Sequence, residues 1–248
     1  MNQQNGTSSQ ARLNSLYDPW FEHDACGAGF VCNIDGRKSP DIIEKALEIL
    51  INLTHRGACG CDPDTGDGAG ILIQVPHEFC RVRCDEIGIR LPETGAYAVG
   101  NVFLPRDASQ RQYIKDLFES VIRQEGQQLL GWRSVPVQYE ALGKLALQSA
   151  PAVEQIYIGR GKRVVDSSHF ERKLYVIRKV MEKAVRESTL PEKNRFHLPS
   201  LSSRTLNYKG LLQPAQMAQF YLDLADPLMT SGLALLHQRY STNTFPTW

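Results

Sequence analysis

Long apolar runs are missing from this 248-residue chain, and that absence sets the first limit. No stretch approaches the roughly 18 residues of a membrane span. An excess of either charge is missing too. With 28 Lys and Arg against 27 Asp and Glu, the balance favours neither a nucleic-acid nor an anionic-membrane partner. The first sixteen residues, MNQQNGTSSQARLNSL, lack the apolar segment of a secretory signal and the several arginines of a transit peptide. They read as a short disordered leader. The six cysteines (Cys26, Cys32, Cys59, Cys61, Cys80 and Cys84) lie in the first third of the chain. Without a secretory signal they suit a reduced cytoplasmic compartment better than a disulfide framework.

Two further motifs are incomplete. Cys59 and Cys61 are one residue apart, and Cys80 and Cys84 fall within a predicted helix. Both pairs are marginal for a structural zinc site, so ordinary buried or surface thiols are expected, with a cysteine-rich metal-binding module as the alternative. Gly66-Asp67-Gly68-Ala69-Gly70 has no Gly-Lys-Ser/Thr ending and leads into a strand instead of opening a helix. That argues against a phosphate loop and for glycines that serve close backbone packing.

What is present is a mixture of strands and helices. Strands are predicted at Gly27–Asn33, Gly70–Val75, Ala96–Leu104, Gln127–Val135, Gln155–Gly159 and Leu233–His237. Helices are predicted from Ser39–Pro40 up to Gly57, at His77–Ile87, Ser109–Gln124, Ser168–Glu187 and Pro214–Leu224. The first has Ser39 as a cap, Pro40 in its first turn and an apolar stripe of Ile42, Ile43, Ala46, Leu47, Leu50 and Leu53. The pattern supports α/β or α+β without fixing the topology.

Cys26 admits three readings. A lipid-modified cysteine needs an apolar segment upstream, and Phe21-Glu22-His23-Asp24-Ala25 is not one. A buried strand thiol fits the run Gly27–Asn33. A nucleophile exposed by cleavage after Ala25 also fits, because small residues flank that bond. A thiol and an α-amine both titrate close to neutrality, so an N-terminal cysteine can supply nucleophile and general base together. Before cleavage the nitrogen is an amide and the site is off.

The stretches HDACGAGF, LTHRGACGCDPDTGDGAGILIQVP, LNYKGLL, FYLDL and LALLHQRYSTNTFPTW, in this order, resemble the opening of glutamate synthase large subunits. The first domain of those proteins is a class II, N-terminal-nucleophile glutamine amidotransferase. The resemblance covers about Tyr17 to Trp248, more loosely over Pro105–Ser200. It implies an α+β fold, a four-layer αββα sandwich incomplete at its C-terminal side, with residues 1–25 removed on maturation and 26–248 forming a partial amidotransferase domain.

It further implies Cys26 as the catalytic residue and Arg56 with Gly57 as its supporting loop. Arg239 would grip the substrate carboxylate, and Thr242 would line the glutamine pocket. The family's oxyanion-hole and amine-binding residues would lie beyond Trp248, so this stretch alone is expected to be inactive. The implied substrate is L-glutamine, and the implied partners are the remaining domains and a small electron-transfer subunit or ferredoxin. FMN and an iron–sulfur cluster are expected in the full-length protein and no cofactor or metal in this segment. A sugar- or purine-pathway amidotransferase would share the cysteine and arginine but not GDGAGI and STNTFPTW together.

Overall fold

The computed structural model describes residues 26–58, 62–241 and 244–248. The expected leader, Cys59, Cys61 and Thr242 lie outside the described residues.

All described strand pairs are antiparallel. One sheet has the order β1-β7-β2-β6, built from Gly27–Cys32 (β1), Leu233–Gln238 (β7), Ala69–Gln74 (β2) and Thr205–Gly210 (β6). The other has the order β3-β5-β4, from Tyr97–Leu104 (β3), Ala152–Gly159 (β5) and Gln128–Ser134 (β4). Helices are α1 (Asp41–Asn52), α2 (His77–Asp85), α3 (Ala108–Gln124), α4 (Lys144–Ser149), α5 (Ser167–Glu187) and α6 (Gln216–Phe220). The fold is mixed α and β on antiparallel sheets, as expected for the α+β class. No described helix is long and apolar enough to cross a membrane.

Two cores follow from strand alternation. In β3, Tyr97, Val99 and Phe103 face one core while Ala98, Val102 and Leu104 face the other, so the strand is buried on both sides. The first core joins Ile71, Ile73, Leu206, Tyr208, Ala234 and Leu236 of the four-stranded sheet to α1 and α2. The second is closed by α3 and α5 through Phe118, Phe170 and Leu174. The opposite face of the four-stranded sheet is open: Phe30 is 68% and Leu235 51% exposed.

Some local expectations change. Ser39 does not cap α1, because its backbone pairs with Ser231 and Pro40 takes the boundary position without a side-chain cap. The apolar stripe nevertheless packs as read, with Ile42, Ile43, Ala46 and Leu50 fully buried. The helix stops at Asn52 and tightens into a 3-10 turn, Thr54–Arg56, before Gly57. The helix expected at Pro214–Leu224 splits into α6 and a second 3-10 turn, Leu222–Ala225, because Tyr221 is extended and the Leu222 N–H turns out to Pro136 O. β6 and α4 were not anticipated. Asp107 and Asp166 cap α3 and α5 by accepting the N–H groups of Gln110 at 2.9 Å and His169 at 2.6 Å. The Ser109 hydroxyl and then the Gln110 N–H lower the Asp107 carboxyl, and the His169 N–H lowers that of Asp166.

The two sheets are tied by a buried polar network. Arg133 on β4 donates to both Asp223 oxygens at 2.7 and 2.8 Å and to Gln155 Oε1 at 3.0 Å. Tyr208 on β6 donates to Asp223 Oδ2 at 3.0 Å and accepts from Gln155 Nε2 at 3.0 Å. Tyr157 completes it through Gln155 Oε1 at 2.9 Å. Burial, and then the Asp223 charge, push the Tyr208 hydroxyl well above its ordinary value, so it stays a donor. Cys80 and Cys84 lie in the adjacent core as buried thiols, pushed up to about 12 and about 11 by desolvation.

Asp223→Ala leaves the buried Arg133 charge without its partner and is expected to cost about 3–5 kcal/mol in urea unfolding. Replacing Arg133 and Asp223 together by Met and Leu is expected to cost less than that single change. A second expectation concerns pH. His197, packed on Phe103 with ring centroids 6.0 Å apart, is lowered to about 4 by burial and then by Lys209 and Arg178. The unfolded chain therefore takes up this proton near pH 6.5, before the folded chain does. Stability from His197 is present above pH 6.5 and is lost as pH falls toward 4. In urea titrations across that window, His197→Gln should lose less stability than the parent.

Candidate active site

The site forms where three strands of the first sheet end together. β7 is central, with β1 on one side and β2 on the other. The β1–β7 register ends with Gly27 paired to Gln238, and Cys26 and Arg239 are the next residues out on the two segments. Arg239 continues the face of Leu235 and His237, and the Cys26 sulfur turns to the Tyr240 main chain. The structure thus brings the first and last segments of the chain together around the cysteine.

Cys26 is half-buried, and its sulfur lies against the Tyr240 backbone. The Tyr240 N–H donates to Sγ at 3.4 Å, and the thiol donates to Tyr240 O at 3.8 Å. Arg239 donates its backbone N–H to Gly68 O at 2.9 Å and its Nη2 to Thr244 Oγ1 at 2.8 Å. Thr244 belongs to a short segment anchored by Trp248. The Trp248 indole N–H donates to Ala146 O at 3.0 Å, and its ring packs edge-on to Phe103 at 5.8 Å.

Arg56 and Gly57 lie beneath this pair of strands, through close packing and not through a polar contact to the thiol. A Cβ on Gly27 would come within 2.9 Å of Arg56 Cβ. A Cβ on Gly57 would fall 2.0 Å from Gln238 Nε2. Only glycine at 57 leaves room for the buried Gln238 side chain, which sits directly before Arg239 on β7. Thr242 lies outside the described residues.

A cavity of about 480 Å³ opens beside Arg239, walled by Asp67, Gly68, Lys209, His237 and Thr247 among others; Cys26 is not on its wall. Burial and then the Arg239 charge lower His237; burial, Arg178 and Arg239 lower Lys209. Arg239 and Lys209 are the cations of this wall and Asp67 its carboxylate, so the Arg239 side of the cavity suits an anionic group. Asp67, Tyr240 and Thr244 were not singled out from the sequence. For Asp67 a signal existed, a lone carboxylate inside a glycine run; for Tyr240 the contribution is backbone, which side-chain identity does not disclose.

Comparison with known proteins agrees with this geometry. The sequence profile of the class-II glutamine amidotransferases matches residues 26–248, beginning at the cysteine. The chain is 47% identical over 237 residues to the glutamate synthase [NADPH] large chain of Bacillus subtilis, covering 96% of this chain and 15% of that protein. It is 40% identical over 243 residues to the glutamate synthase [NADH] of Schizosaccharomyces pombe, covering 96% and 11%. It is 39% identical over 238 residues to a ferredoxin-dependent glutamate synthase of Arabidopsis thaliana, covering 96% and 14%. The chain therefore spans only about a seventh or less of the length of these relatives. With its cysteine and arginine each one residue beyond the last β1–β7 pair, the chain belongs to the class-II glutamine amidotransferases and is homologous to glutamate synthase large chains.

Proposed function

We propose that this chain is the glutaminase part of a glutamate synthase: it hydrolyses L-glutamine through Cys26, and the ammonia aminates 2-oxoglutarate elsewhere in the protein. The observation that carries the reading is the Cys26 thiol held on the N–H of Tyr240, the residue after Arg239, at the position where the family match begins.

In this reading residues 1–25 are removed, which frees the Cys26 α-amine. The amine takes the thiol proton, and the thiolate attacks the side-chain amide carbon of glutamine. The protonated amine then gives its proton to the departing ammonia, leaving a glutamyl thioester. Water adds to the thioester, glutamate leaves and the thiol is restored. Arg239 holds the substrate α-carboxylate with its planar fork, and Thr244 fixes the guanidinium. Arg56 and Gly57 support the strand ends that carry the nucleophile and the arginine, and Thr242, between Tyr240 and Thr244 in sequence, lines the glutamine pocket.

The reductive half of the reaction belongs to the rest of the protein. Flavin and an iron–sulfur cluster would supply electrons there, from a reduced nucleotide subunit or ferredoxin. The described cysteines do not form a cluster-binding set: Cys80 and Cys84 are buried apart from Cys26 and the exposed Cys32. No step in this chain is routed through either group.

Cys26→Ala in the full-length protein should lower glutamine-dependent glutamate formation by about a thousandfold or more, while ammonia-dependent formation partly survives. Equal loss of both activities argues against the assigned role, as does an active chain whose intact mass retains the leader. Arg239→Lys should raise KM for glutamine about 10–100-fold and change kcat much less, since a point charge replaces a bidentate fork. Steady-state glutaminase kinetics check this, and an unchanged KM removes Arg239 from the carboxylate site.

A further inference from the structure

The glycine run Gly66–Gly70 holds a carboxylate that the reaction scheme does not use. Asp67 is 7% exposed, and its Oδ2 accepts the Ser241 N–H at 2.5 Å. Its own N–H donates to Ala58 O at 3.0 Å, in the loop that follows Arg56 and Gly57. The neighbouring Gly68 O accepts the Arg239 N–H at 2.9 Å. Asp67 and Gly68 thus hold the amides on both sides of Tyr240.

β7 lies between two strands, so successive amides along it point alternately to β2 and to β1. Beyond its end the alternation continues. Arg239 and Ser241 donate toward the β2 side, and Tyr240 donates toward Cys26. The β2 side can supply a main-chain acceptor only as far as Gly68, whose φ of +135° turns the chain out of the sheet. At the next donor the Asp67 carboxylate replaces the missing carbonyl. A charged acceptor holds that N–H more firmly than a neutral one.

We propose that Asp67 is a positioning residue for the glutaminase reaction: by fixing the Ser241 amide it aims the Tyr240 N–H at the Cys26 sulfur. The proposal rests on the reading of Cys26 as nucleophile. It gives GDGAG a role besides close packing, as the acceptor that extends the sheet around the active cysteine. Asp67 does not touch the thiol and acts only through the main chain of residues 239–241.

The test compares Asp67→Ala, Asp67→Asn and Cys26→Ala in the full-length protein. Readouts are glutaminase kcat and KM, and the rate of Cys26 alkylation by iodoacetamide at pH 7. Asp67→Ala should lower kcat and alkylation each about tenfold and leave KM within about twofold, because Gly68 and Thr244 still hold Arg239. Asp67→Asn keeps an oxygen for the Ser241 N–H and should recover at least half of both rates. If Asp67→Ala does not fold, Asp67→Ser, too short to reach that amide, takes its place with the same expectation. The proposal is overturned if kcat and alkylation are unchanged, if KM rises as much as kcat falls, or if asparagine is as poor as alanine. Those results with an inactive Cys26→Ala leave the nucleophile standing and remove Asp67. A glutaminase-active Cys26→Ala removes the underlying reading as well.

Discussion

A strand with neighbours on both sides must send its hydrogen bonds alternately left and right, and the candidate site is built on that constraint. β7 is such a strand, pairing with β1 through Gly27–Gln238 and with β2 through Ala69–Gln238. Its alternation decides which residues meet at its end. Odd positions there donate to the Gly66–Gly70 turn, and the even position between them donates to Cys26. The last β1–β7 pair, Gly27 with Gln238, leaves Cys26 and Arg239 as the next residues out on the two segments. The positions of Cys26, Arg239 and the Tyr240 amide therefore depend on one register, and a slip of one residue would shift all three.

That register has to be enforced from the core. Behind the sheet, Ile71, Ile73, Ala234 and Leu236 are fully or almost fully buried against α1, and any slip would turn them to the opposite face. Gln238 locks the last pair, because its side chain fills the space that a side chain at Gly57 would need. At the far edge of this sheet, Tyr208 on β6 joins the Arg133–Asp223 network and connects it to β4 and β5. The network is a poor source of net stability, since burying both charges costs much of what their attraction returns. Its donors and acceptors have few other partners at that depth, so it fixes how the two sheets meet.

The sequence discloses elements and motifs better than it discloses their meeting points. Long periodic segments were legible: the α1 stripe, α3, α5 and the buried runs of β2 and β3 lie close to where the apolar pattern puts them. Cys26 stood out from its flanks as one of three readings, whereas Arg56, Gly57 and Arg239 were named only through resemblance, because a lone arginine or glycine has no periodicity to betray it. The meeting of Cys26 with the Tyr240 main chain was not legible at all, since strand register depends on packing between distant segments. β6 was missed although Leu206, Tyr208 and Gly210 alternate as a strand should, because Asn207 and Lys209 dilute its apolar signal. Ser39 failed as a cap for a tertiary reason, its pairing with Ser231.

The same logic accounts for motifs that are far apart in the chain yet serve one place. HRGA supplies a residue without a side chain beneath Gln238 and a carbonyl, Ala58 O, for the Asp67 amide. GDGAG supplies the acceptors for Arg239 and Ser241. FPTW supplies the indole that anchors the segment bearing Thr244, and so the guanidinium that Thr244 holds. None of these contributions is reacting chemistry. Each restrains a strand end where hydrogen bonding would otherwise stop, and strand ends fray unless their last amides are satisfied. A thiol on the residue just before the edge strand β1 has a paired strand on only one side, and these motifs provide further support.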